Sequence, residues 1–121
     1  MPKSDSFVDH LVELLQPLEG VRARAMFGGY GVYRNDLMIG LVADDVFYLK
    51  ADDVTRPDFD AAGLGPFIYR SRGKEMPMPY FQAPPSTLED SGEMCRWAAK
   101  AYDAAVRTAK PKAARSRGRK G

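Results

Sequence analysis

Between residues 26 and 31 the chain reads Met26-Phe27-Gly28-Gly29-Tyr30-Gly31, three glycines and two aromatic rings in six positions. Glycine costs a helix about 1 kcal/mol per residue relative to alanine, so this stretch does not continue one. The segment runs straight into Val32-Tyr33-Arg34, a strand pattern. A phosphate-cradling loop needs its glycines at a helix N-terminus and a Gly-Lys-Ser/Thr ending, and this sequence has neither. The expectation is a bulged hairpin whose glycines take positive φ and let aromatic rings lie over bare backbone.

The rest of the chain arranges itself around that hairpin. Phe7, Leu11, Leu14, Leu15 and Leu18 recur at helical spacing and predict a helix over 6–16, stopped by Pro17. Four strands follow, over 21–27, 30–34, 37–42 and 46–50, with Asn35-Asp36 and Asp44-Asp45 as turns that tolerate positive φ. A second helix fits 55–62, capped by Asp52, Asp53 or Thr55 and ended by Gly63. Segments 66–69 and 76–82 read as a hairpin about Ser71-Arg72-Gly73-Lys74. Pro77 and Pro79 withhold two ladder donors on one side, which predicts an edge strand. Pro84-Pro85 breaks the chain before a last helix over 91–108, capped by Ser91, with Met94, Trp97, Ala98, Ala101 and Ala105 on its apolar face. The order α-β4-α-β2-α implies an α+β two-layer sandwich, an antiparallel sheet with helices on one face.

Further stretches carry a family likeness. They are Leu41-Val42-Ala43-Asp44-Asp45-Val46-Phe47-Tyr48-Leu49-Lys50, Ala62-Gly63-Leu64-Gly65-Pro66-Phe67 and Met78-Pro79-Tyr80-Phe81-Gln82-Ala83-Pro84. With the signature Met26, Phe27, Gly28, Gly29, Tyr30 and Gly31, in this order and spacing, the sequence resembles the N-terminal domain of the TfoX family of competence regulators over about residues 5–107. The resemblance implies the same two-layer architecture, similar to the type III secretion chaperone fold, and a part in regulating gene expression. Full-length regulators of the family carry a second, C-terminal domain. In this sequence a basic tail stands in its place.

Charge separates the chain into two parts, 1–109 and 110–121. The net charge is +2, but Lys110, Lys112, Arg115, Arg117, Arg119 and Lys120 crowd the last twelve residues without an acid. Setting those six aside leaves 12 basic residues against 16 acidic ones, a net −4. Such a tail has nothing to bury, predicts disorder, and can displace counterions from DNA or RNA without reading sequence. A second basic group, Arg70, Arg72 and Lys74, lies on the last hairpin beside Tyr69 and Tyr80, and basic residues among aromatics can hold single-stranded nucleic acid.

The remaining polar residues suggest no catalytic set. His10, the single histidine, falls off the apolar stripe of its helix and reads as a surface residue. Cys95, the single cysteine, sits on an apolar helix face and reads as an inert thiol, compatible with a reducing cytoplasm and excluding an intrachain disulfide. Asp44-Asp45 and Asp52-Asp53 are explained by turn and cap hydrogen bonds. No metal, cofactor or membrane span is expected, and the chain reads as a monomer or homodimer with a protein partner. The expectation is a non-enzymatic regulatory or adaptor protein. The alternative is a small-ligand binder or enzyme using a cleft between the glycine hairpin of Gly28 to Gly31 and the turn carrying Arg70, Arg72 and Lys74.

Overall fold

The computed structural model describes residues 3–26 and 29–120, with side chains from 6 to 26 and from 29 to 109. Helix α1 (Lys3–Leu14) leads into strands β1 (Val21–Met26), β2 (Gly29–Arg34), β3 (Leu37–Ala43) and β4 (Val46–Lys50). Helix α2 (Arg56–Ala61) precedes β5 (Pro66–Ser71) and β6 (Lys74–Gln82). A 3-10 turn over Pro85–Leu88 then delivers the chain to α3 (Ser91–Lys120). The reading of 110–121 as a disordered tail falls beyond the described side chains.

The six strands form one antiparallel sheet in the order β1-β2-β3-β4-β6-β5. Three of its hairpins close through two residues with positive φ: Asn35 and Asp36 at 50° and 68°, Asp44 and Asp45 at 51° and 61°, Arg72 and Gly73 at 49° and 77°. Paired positive φ matches the right-handed twist of the flanking strands, which is why these short polar residues stand there.

One face of the sheet carries the helices. Val32, Val42, Phe47, Leu49 and Phe81 on the strands pack with Val8, Leu11 and Leu15 below α1, Phe59 of α2, and Met94, Ala98, Ala101 and Ala105 of α3. Phe59 is completely buried, with Phe81 stacked 5.4 Å away and Trp97 tilted at 5.0 Å. The alanines of α3 let that helix lie close to β3 and β4.

The run Leu37-Met38-Ile39-Gly40-Leu41-Val42 has no clean alternation, and a bulge explains why. Val32 pairs with Gly40 and Tyr33 with Met38, leaving Ile39 as an extra residue. One added residue reverses the phase of the pleat, so Leu37 before it, Ile39 itself and Val42 after it all join the core.

Two expectations need correction. First, β6 is not an edge strand: it lies between β4 and β5, and the edges are β1 and β5. Its ladder to β4, however, covers only Tyr80 to Gln82, so Pro77 and Pro79 fall where β6 outruns its neighbour. There Ala51 donates its N–H to the Pro79 carbonyl at 2.9 Å, a bond that asks nothing of the proline nitrogen. Second, Gly29 and Gly31 are strand residues without positive φ. Gly28, with Phe27, lies outside the described residues.

Candidate functional site

The glycines of the signature are required by close approach. A Cβ on Gly29 would fall against the carbonyl oxygen of Val42, a ladder atom that cannot move aside. A Cβ on Gly31 would come within 2.8 Å of Met26 Sδ and 2.9 Å of Tyr33 Cε1. The Tyr33 ring therefore lies along bare backbone, as the sequence suggested, although Gly31 provides the space by lacking a side chain and not through an unusual φ.

Register places Tyr30 of the signature, paired with Val42, against the helix-side core, and Met26, Gly29 and Gly31 on the side of the sheet away from the helices. Arg24, Gly31, Leu41, Tyr48 and Gln82 form one cross-strand row on that face. A neighbouring row holds Arg22, Tyr33 and Met38, and Lys50 beside Tyr80. The Arg24 guanidinium stands 5.6 Å from the Tyr33 ring centre, and Lys50 Nζ 5.1 Å from that of Tyr80. Tyr48 meets Phe67 with centroids 5.1 Å apart. Tyr80 is buried here, outside the helix-side core, and desolvation followed by the nearby Tyr33 raises its phenol pKa. Burial likewise lowers the pKa of Lys50, partly offset by the charge of Asp52.

The other sequence-marked groups are distributed elsewhere. Arg70 is paired with Glu75 at 2.8 Å, both well exposed, and Arg72 and Lys74 sit at the turn. Gly29 pairs with Ala43 at one end of the sheet, whereas Lys74 lies beyond Lys50 at the other end and across on the β5 side. The topology therefore separates the glycine hairpin from the Arg70–Lys74 turn, and no shared cleft forms between their described residues. A cleft of about 310 Å³ opens instead beside Ala51, Arg56, Pro66, Pro77 and Pro79. Tyr80 is also remote from the turn at Lys74, six residues along β6. The tail cations Lys110, Lys112, Arg115, Arg117, Arg119 and Lys120 lie outside the described side chains.

Structural roles absorb the remaining candidates. His10 Nε2 bonds the Leu88 carbonyl at 2.9 Å, tying α1 to the 3-10 turn. Ser91 Oγ donates to the Leu14 carbonyl at 2.6 Å and Cys95 Sγ to the same oxygen at 3.5 Å, closing the open C-terminus of α1 onto α3. Asp90, not Ser91, accepts the Gly92 N–H at the start of α3. Asp52 accepts from the N–H groups of Val54 and Thr55 at 3.1 Å each and from Arg107 through Nε at 2.6 Å and Nη2 at 3.1 Å. The Arg107 hydrogen bond is the main reason its carboxyl pKa falls from 3.8 to about 2. That ion pair was not readable from the sequence, since its partners are 55 residues apart.

Among the described residues no group of three or more His, Cys, Asp or Glu side chains is placed to hold a metal ion. No described helix is long and apolar enough to cross a membrane. No curated protein matches the chain. Residues 13–105, which span β1 to β6, α2 and the first half of α3, match the family described as the TfoX N-terminal domain. The chain belongs to the TfoX N-terminal domain family.

Proposed function

We propose that this chain is a non-enzymatic regulatory or adaptor protein of the competence-regulator type, linked to transcription regulation in the cytoplasm, whose basic tail contacts nucleic acid without sequence preference. Membership of the TfoX N-terminal domain family supports the regulatory part. The observation that carries the nucleic-acid part is the separation of charge. Every acidic residue except Glu75 lies outside the strands, while the strands carry Arg22, Arg24, Arg34, Lys50, Arg70 and Lys74 and the tail adds six more cations. An acidic body, with its carboxylates on helices, turns and loops, suits contact with proteins and repels phosphate, and a cationic tail attracts it.

The test is duplex DNA binding, titrated from about 50 to 200 mM salt, by the full chain and by a chain ending at Ala109. The full chain should bind with a log–log salt slope no steeper than about −5, as six neutralised phosphates allow. The shortened chain should lose that binding and keep its melting curve, since the last core residue is Ala105. Equal duplex binding by both chains would remove the tail from the proposal.

A further inference from the structure

The helix-free face of the sheet joins three features that the tail does not explain. Its strand positions between β1 and β4 hold no acid: the charged residues in its rows are Arg22, Arg24 and Lys50. Arg22 is bridged to Asp36 at 3.1 Å, but among the described residues neither Arg24 nor Lys50 forms a salt bridge. Each of these two cations instead stands over a tyrosine ring of the same face. The face is also open where a sheet interior is normally closed. Leu41 and Tyr48 on central strands are only half-buried, as are Tyr33 and Phe67, because α1, α2 and α3 pack on the other side.

We propose that this face docks single-stranded nucleic acid, with Tyr33 and Tyr48 as stacking rings and Arg24 and Lys50 as phosphate contacts. Bases offer a flat π-face of any sequence to partly exposed aromatic rings. Arg24 stands over Tyr33, and Lys50 follows Tyr48 two residues along the same face of β4, so that each can take a phosphate of the strand. From Arg24 on β1 to Tyr48 on β4 is three strand spacings, roughly 14 Å, room for a short run of nucleotides. A single strand fits because its bases can splay onto a flat sheet. In a duplex the base faces are covered by their stacked neighbours and offer nothing for a ring on a sheet to stack against. The ammonium of Lys50 is partly desolvated and only partly compensated by the charge of Asp52, so an arriving phosphate adds to its counter-charge. Tyr80, buried beneath Lys50, is its support and not a stacking ring. The reading goes beyond the tail and stands without it.

The test uses the full chain with its tail reversed by Arg117→Glu, Arg119→Glu and Lys120→Glu, so that failure of the tail proposal and failure of this one give different results. Fluorescence anisotropy is read with labelled dT12, rU12 and a 12-base-pair duplex. The tail-reversed chain should bind dT12 or rU12 at least tenfold more tightly than duplex. Tyr33→Leu with Tyr48→Leu, which keeps apolar bulk and removes the π-faces, should weaken single-strand binding at least tenfold at an unchanged melting temperature. Arg24→Glu, at an exposed edge position where folding is insensitive, should do the same and decides the matter if the double-leucine chain melts early. Absence of single-strand binding by the tail-reversed chain, equal affinity for duplex, or indifference to Arg24→Glu would each overturn the proposal.

Discussion

A side chain at Gly29 would meet the backbone of β3 and not a flexible neighbour, so relief requires the ladder between Gly29 and Ala43 to open. Gly29→Val should therefore cost at least about 2 kcal/mol, as overpacking without an escape route does. Thermal melting checks this, and a wild-type melting temperature would show that β2 can shift without loss. Gly31 differs, because what occupies its space is the end of Met26 and the ring of Tyr33. An added methyl there would displace side chains of the open face before it strained the backbone. Both residues were legible in the sequence as special. The reason for their being special was not, because a missing Cβ and a positive φ leave the same letter in the chain.

At the scale of elements, the link between Asp52 and Arg107 fastens the β4–α2 connection to the far part of α3. The folded-state pKa of Asp52 lies near 2, below its ordinary 3.8. The unfolded chain consequently takes up this proton first as acid is added. The stabilisation is complete above about pH 4 and disappears as pH falls through about 2. Its size is on the order of 1 kcal/mol, reduced by the solvent that reaches Arg107. Asp52→Asn keeps an acceptor for Val54 and Thr55 and loses the charge, so its stability should lie below wild type at pH 7 and converge with it near pH 2. Parallel urea melts at the two pH values measure the difference, and a gap that does not close in acid would remove the ion pair as its cause. A similar logic holds for β6. Its prolines were a sound signal that ladder donors are missing, yet the strand is interior, because β4 ends before Pro79 is reached.

Across the whole molecule, one core joins all three helices to one side of the sheet, with Phe59 at the junction of α2, α3 and β6. Phe59→Ala should cost about 3–5 kcal/mol, the range for emptying a fully buried aromatic site. Chemical denaturation reads it directly, and a loss under about 1 kcal/mol would mean that Trp97 and Phe81 collapse into the space. The other side of the sheet gathers rings and cations and leaves them partly in water, which gives the molecule two faces of different chemistry.

The sequence by itself determined the elements, their order and the helix-side core, because apolar periodicity, capping residues and turn pairs act over a few neighbours. It also determined the separation of an acidic body from a basic tail, which is a matter of counting. Tertiary structure decided which strand is the edge, that Ile39 is an extra residue, that Asp52 meets Arg107, and that Arg24, Tyr33, Tyr48 and Lys50 share one open face. Each of these depends on strand register or on residues brought together from distant positions. Contact there is set by the pairing of whole strands, and no local pattern of side chains encodes it.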